Sequence, residues 1–223
     1  VEVTREPRED IEIRLTGTYM APLDVTQPKI RIAQVADGQV EIDIDRGITL
    51  PQSFTSSNLR LMVKLPETFS GTLELQSVSG AVKLRSPGQA PFEGNVSAGS
   101  VSGRVYVEGL DAGSVDLTSV SGDLEFLGSA DQLKVKTVSG AMMLKLTALR
   151  GDGHVETTSG RVEFTSTEPL NHVIKITTTS GVLEIEREDM NVQRMEDRRI
   201  EAMAGSGQFT LELSTVSGDV TIR

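Results

Sequence analysis

A Ser-Gly pair preceded by Val or Thr recurs along this chain, at Ser79-Gly80, Ser102-Gly103, Ser121-Gly122, Ser139-Gly140, Ser159-Gly160, Ser180-Gly181 and Ser217-Gly218. Successive pairs lie 23, 19, 18, 20, 21 and 37 residues apart. A period near twenty marks a repeat architecture, in which each supersecondary unit must stack on a neighbour to bury its apolar face. The last interval is nearly double and must hold an insertion. Aligning on the pair sorts residues into columns. Two residues beyond each Gly stand Val82, Val105, Leu124, Met142, Val162, Leu183 and Val220, and two further on stand Leu84, Val107, Phe126, Leu144, Phe164, Ile185 and Ile222. The residues between these columns are mostly polar, which is the period-two signature of a strand with one buried face. The strand before the pair alternates too: Leu73 and Leu75, Val115 and Leu117, Leu133 and Val135, Ile174 and Ile176, Leu211 and Leu213. Val96 with Ala98 is a weaker version, and Gly153 with Val155 is half a match.

At the pair itself the pattern slips. Leu117 and Ser119 share one parity, whereas Val120, Gly122, Leu124 and Phe126 share the other, so a bend or bulge must absorb one residue. Gly is expected there because it reaches positive φ, and an adjacent Ser or Thr can hydrogen-bond local backbone. Seven serines without a recurring His or Asp beside them are not a set of nucleophiles. The fourteen residues of the pairs are read as structural corners.

These columns predict an all-β chain: a single-stranded β-solenoid, or β-helix, of stacked strand–turn–strand rungs of about 20 residues. A right-handed coil is favoured, because the hexapeptide repeats of left-handed coils are missing. Residues 59–223 are expected to form the regular rungs, with an insertion at about 186–208. Residues 1–58 are expected to supply irregular leading strands and an N-terminal cap within one continuous domain. Their alternating runs (Ile11 to Leu15, Lys29 to Ala33, Val40 to Ile44) are broken by Pro22, Pro28 and Pro51. The insertion is read as an irregular rung or flap. A helix across Asp189 to Met203 is weighed against it, but Met190, Val192, Met195, Ile200 and Met203 make only a patchy stripe. The last rung, around Val220 and Ile222, is expected to expose a strand edge and so to permit end-to-end self-association.

Composition narrows the function. Aromatics are only 4% and Trp is absent, so Val, Leu and Ile must fill the core. The absence of cysteine excludes disulfides and thiolate metal sites. A net charge of -10 argues against nucleic acid, whose phosphates need a basic face. No apolar run approaches the length of a membrane span, so membrane contact is expected only through an anchor outside this chain. The first residue is Val1 rather than Met, and the expectation is a mature, extracytoplasmic form on a bacterial surface or in the periplasm.

The stretch Leu73 to Leu84, with its Ser-Val-Ser-Gly core, resembles the bacterial putative-adhesin family of unknown function with β-strand repeats. So do Leu211-Glu-Leu-Ser-Thr-Val-Ser-Gly-Asp-Val-Thr-Ile222, the Gly-Ser-Gly before it and the alternating lead-in Leu59 to Pro66. The resemblance covers roughly residues 30–223. It implies an exported or envelope-associated protein and carries over no catalytic residues.

The outward columns hold the candidate chemistry. If rungs stack in sequence order, Glu163 lies beside Glu184, a possible acid/base pair or cation site, and Arg104 beside Asp123. The preferred reading of the first is a solvated acidic stripe relieved by Arg161. His154 falls on an outward column with Lys134 and Lys175, while His172 falls in a loop, so a metal pair is not expected. No cofactor is expected. The chain is read as a non-enzymatic scaffold or adhesion-type binding module. Its partner would be a protein or glycan meeting the strand faces or the loop edge (85–94, 108–114, 127–131, 145–152 and 165–172). A carbohydrate-active enzyme on a β-helix and a self-assembling structural protein are the alternatives.

Overall fold

The structure is a computed structural model that describes residues 1–20, 29–36, 39–45, 56–87 and 91–223. The breaks expected at Pro22, Pro28 and Pro51 lie outside the described residues. The chain divides into two compact parts, a larger one of residues 1–11 and 64–223 and a smaller one of 12–63. The smaller part contains β2 (Glu12–Met20), an antiparallel hairpin of β3 (Lys29–Ala36) and β4 (Gln39–Asp45), and the first residues of β5 (Ser56–Pro66). All described elements of both parts are strands.

The larger part begins with β1 (Glu2–Glu6), and seven rungs follow. The first is β6 (Gly71–Ser77) and β7 (Val82–Arg85), and the second is β8 (Phe92–Ser100) with the opening of β9 (Val105–Ser119). The rest of β9 and the opening of β10 (Leu124–Ser139) make the third, and the rest of β10 with β11 (Met142–Leu149) the fourth. The fifth rung is β12 (Gly153–Ser159) and β13 (Val162–Ser166), and the sixth is β14 (His172–Ser180) and β15 (Leu183–Ile185). A hairpin of β16 (Met190–Glu196) and β17 (Arg199–Ala204) precedes the seventh, β18 (Phe209–Ser217) and β19 (Val220–Ile222).

Strands before the corner form one parallel ladder and strands after it another. In the first, Leu75, Ala98, Leu117, Val135, Val155, Leu213 and Ile176 follow one another across the sheet. In the second, Leu84, Val107, Phe126, Leu144, Phe164, Ile222 and Ile185 do so. The inward columns are buried wherever a rung has neighbours on both sides; Leu73 and Leu75 on the first rung and Ile185 on the sixth are half-exposed. Large aliphatic side chains, with Phe126 and Phe164 among them, fill the stack, and each contributes roughly 1.5–3 kcal/mol by burial.

Both ladders show that the rungs are not stacked in sequence order. The seventh rung lies between the fifth and the sixth: β18 pairs with β12 on one side and β14 on the other, and β19 with β13 and β15. The expectation that Val220 and Ile222 sit on an exposed edge is therefore overturned. Both are fully buried in a strand paired on each side. The outer position belongs instead to the sixth rung. There the insertion forms an antiparallel hairpin, not a helix, and its β17 runs antiparallel along the outer side of β14 with Ile200 opposite Ile176. The sheet thus mixes orientations and departs from a plain single-stranded coil.

At the other end of the larger part β1 extends the second ladder, with Val3 opposite Leu84. The Val1 ammonium donates to the Ala81 carbonyl at 2.7 Å. The Arg5 guanidinium is buried over the Phe92 ring, 5.2 Å from its centroid, and donates to Ser86 Oγ at 3.0 Å and to the Glu67 carbonyl. The loops expected at 108–114 and 127–131 are not loops. β9 and β10 run straight through them, with register shifts at Leu127/Gly128 and Gly128/Ala130.

Candidate functional site

The seven Ser-Gly corners stack into one ridge along the larger part. In the third rung Leu117 and Ser119 are buried, Val120 and Ser121 are both exposed, and Gly122 is buried again. Two successive outward residues therefore absorb the parity change. Val120 points outward, against the inward placement its parity implied.

The expected reason for the glycines holds at two corners, and a second reason applies more widely. Gly140 (φ 148°) and Gly181 (φ 157°) have the positive φ that favours glycine, whereas the other five corner glycines do not. What six of the seven share is proximity. A Cβ on Gly103, Gly122, Gly160, Gly181 or Gly218 would meet the carbonyl oxygen of the corner glycine on the adjoining rung at 2.0–2.2 Å, and one on Gly140 at 2.5 Å; Gly80, on the first rung, would meet only Ser77 Oγ at 3.1 Å. The corner is where backbones of neighbouring rungs come closest, and a side chain has no room there.

The local hydroxyl comes from three residues before the Gly, not from the Ser of the pair. Ser77, Ser100 and Ser119 Oγ accept from the backbone N–H of Gly80, Gly103 and Gly122 at 3.0, 2.9 and 2.8 Å. The serines of the pairs face outward, and Ser102 and Ser121 donate to the Val78 and Val101 carbonyls of the preceding rung. From the fourth rung onward the buried position holds Thr137, Thr157, Thr215 and Thr178, whose hydroxyls have no hydrogen-bond partner. Ser119→Ala should thus cost about 1 kcal/mol, since Gly122 N–H loses its acceptor, whereas Thr157→Val should be neutral or stabilising. Urea midpoints of the two variants check this.

Outward from the ridge, Val78, Val101, Val120, Val138 and Val216 stand 47–73% exposed. The first four come from consecutive rungs, tied by Ser102 N–H to Val78 O, Ser121 N–H to Val101 O and Ser139 N–H to Val120 O at 2.8–3.0 Å. Thr158 and Thr179 occupy the same place in the fifth and sixth rungs. This apolar ridge was visible in the sequence as the residue before each Ser-Gly pair. Strict alternation carried across the corner would turn those valines inward.

The strand faces beside the ridge carry charge in ladders. Lys134 pairs with Asp116 at 2.9 Å, Lys136 with Glu156 at 2.6 Å, and Lys175 with Glu212 at 3.8 Å. The Lys136 hydrogen bond holds the Glu156 carboxyl below its usual range. Arg150 bridges Asp111 and Asp131. Glu163 and Glu184 are not neighbours, because Thr221 of the inserted seventh rung separates them. Arg223 of that rung pairs with Glu163 and with Glu186, each at 2.8 Å, and Arg161 approaches Asp219 at 3.9 Å. Arg104 pairs with Glu125 at 3.0 Å, while Asp123 accepts from Ala141 N–H at 2.9 Å.

The two histidines are far from forming one site. His154 lies on the outward face between Glu156 and Glu212, within 3.6 Å of each. His172 is the first residue of β14 rather than part of a loop, and is fully buried. Its Nε2 donates to the Gly151 carbonyl at 2.8 Å and its Nδ1 accepts from Asn171 N–H at 3.1 Å, which fixes the neutral ring. Burial pushes its pKa down. The unfolded chain then takes up the proton first, so stability should fall as pH drops below about 6.5. Urea midpoints at pH 7.5 and 5.5 should differ more for the parent than for His172→Gln.

A model of the Toastrack DUF4097 family matches residues 92–223, more than half of the chain. The chain belongs to the Toastrack DUF4097 family. The match takes in six of the seven corners and the whole of the displaced seventh rung, and the expected resemblance to a family of unknown function holds at this level. No curated protein matches the chain. Among solved structures, a Clostridium sporogenes ATCC 15579 protein described as a "putative cell adhesion protein" is similar, at 14% identity and a TM-score of 0.38, over 99% of this chain and 86% of that one. Among the described residues of this Toastrack chain, no cluster of three or more His, Asp or Glu has metal-binding geometry.

Proposed function

We propose that this Toastrack chain is a non-enzymatic scaffold or adhesion-type binding module of the bacterial cell envelope, held outside the cytoplasm and built on a right-handed β-solenoid. The valine ridge carries the reading. Monomeric proteins seldom expose aligned apolar residues, and such a patch marks a contact surface. The stacked backbone holds the valines at about 4.8 Å intervals, so little order need be gained on docking. The flanking ion-pair ladders keep the strand faces polar and nearly self-neutralised, which leaves the ridge as the apolar centre of a polar-rimmed surface. An apolar line of this kind fits a protein partner better than a glycan.

Co-sedimentation with bacterial envelope preparations tests the reading. A Val101→Ser, Val120→Ser, Val138→Ser triple variant should bind at least about tenfold more weakly, a loss of about 1.4 kcal/mol, with an unchanged melting temperature. Retained binding would remove the ridge as the contact surface. Depolymerisation of a polysaccharide by the parent, lost in a Glu163→Gln, Glu184→Gln double variant, would replace the scaffold with an enzyme; we expect no such activity.

A further inference from the structure

The seventh rung fills a slot made by two rungs that precede it in the chain. The chain lays down the fifth rung, passes on to the sixth, turns through the β16–β17 hairpin and comes back to enter between them. With the seventh rung seated, the fifth and sixth stand two spacings apart, about 9.6 Å, and do not pair with each other.

The slot is shaped for this rung. Gly153 has no side chain, and the room is taken by Leu211 Cδ1, which a Cβ there would meet at 2.6 Å. Asp152 Oδ1 accepts from Thr210 N–H at 2.8 Å on one wall, and on the other Val182 N–H donates to Asp219 Oδ1 at 3.0 Å. Arg223 reaches Glu163 on one wall and Glu186 beyond the other. Leu211, Leu213, Val220 and Ile222 are all buried between the walls.

A tight turn joins this rung to the hairpin before it, and in that turn Ser206 donates from N–H and Oγ to Asn171 Oδ1 at 2.7 and 2.9 Å. In it Gly205 (φ 60°) and Gly207 (φ 67°) both adopt the left-handed conformation that suits glycine, and Gly207 N–H donates to the Ala204 carbonyl at 3.3 Å. Extended, residues 205–208 span about 14 Å, several times the rung spacing.

We propose that the slot between the fifth and sixth rungs is a binding site for residues 209–223 of a second copy of this chain, so that two copies exchange their seventh rungs reciprocally. Every contact of the slot is the same whichever copy supplies the rung. The balance between closed monomer and exchanged dimer is then set by concentration and by the turn alone. The exchange is independent of what the valine ridge binds.

The chain has no cysteine, so single cysteines report the exchange cleanly. Thr177 and Ser214 are direct cross-strand neighbours in the slot, whereas Lys136 lies two rungs from Ser214. Full-length Thr177→Cys and Ser214→Cys variants would be mixed, unfolded in urea and refolded together at rising concentration under mild oxidation. A covalent heterodimer several-fold above a Lys136→Cys with Ser214→Cys control is expected. In light scattering the dimer share should rise with refolding concentration. It should rise further in Gly205→Ala with Gly207→Ala, where the closed turn is strained and the extended one is not. Monomer at every concentration in parent and turn variant would overturn the proposal. So would a dimer whose Thr177–Ser214 cross-linking does not exceed the control.

Discussion

Leu213→Asp is expected to unfold residues 172–223 as a block while residues 92–166 keep their structure. Leu213 is buried between Val155 and Ile176 in a strand paired on both sides. A carboxylate there has no partner, and the cost is roughly 4 kcal/mol or more. In a stack the damage passes to whatever rests on the broken unit. Here the sixth rung and the hairpin rest on the seventh. Hydrogen exchange should therefore show amide protection lost across β14, β15 and β17 as well as β18 and β19. Stacking in sequence order makes the opposite forecast, in which β14 stays protected against β12. The measurement thus tests the displaced rung directly.

Gly122→Val should be strongly damaging, at about 2 kcal/mol or more, because a side chain there collides with the Gly103 carbonyl at 2.1 Å. The backbone is rigid on both sides and the contact cannot relax by rotation of a side chain. Leu124→Ala should cost about 2–5 kcal/mol as a truncation within the core. Asp123→Val should be milder, at about 1 kcal/mol, the loss coming from the hydrogen bond to Ala141 N–H. Urea melts of the three variants decide it. A severe effect at 123 with a mild one at 124 would reverse the assignment of inward and outward columns.

How much of this was legible beforehand depends on what fixes each feature. The inward columns from Val82 to Val220 and from Leu84 to Ile222 are set by burial within a rung, and burial writes a period into the residues. The corner is also local, and Gly122 was recognisable as intolerant. Its cause was not, since a close approach by Gly103 involves a backbone some twenty residues away. The order of the rungs left almost no trace, because every rung presents the same columns to both sides and any two can pair. Glu163 and Glu184 meet only if neighbours in sequence are neighbours in the stack; Thr221 separates them. The one local clue is Gly153, the gap in a column that Leu211 fills from the seventh rung, and half a match in the sequence reads equally well as a weak repeat. Val78, Val101, Val120 and Val138 were missed for another reason. Parity carried across a corner assigns an apolar residue to the core, and here two consecutive residues face outward.

The displaced rung also limits how the length of such a protein can change over time. Among the first four rungs each strand rests on the one before it, so a duplication or deletion of one whole period there leaves a workable stack. Residues 152–223 lack that freedom. Removing one rung from that stretch strips a wall or the occupant from the slot, and adding one leaves it without a place. Gain and loss of repeats among relatives is then expected upstream of Asp152, with the closing segment inherited as a single indivisible cassette.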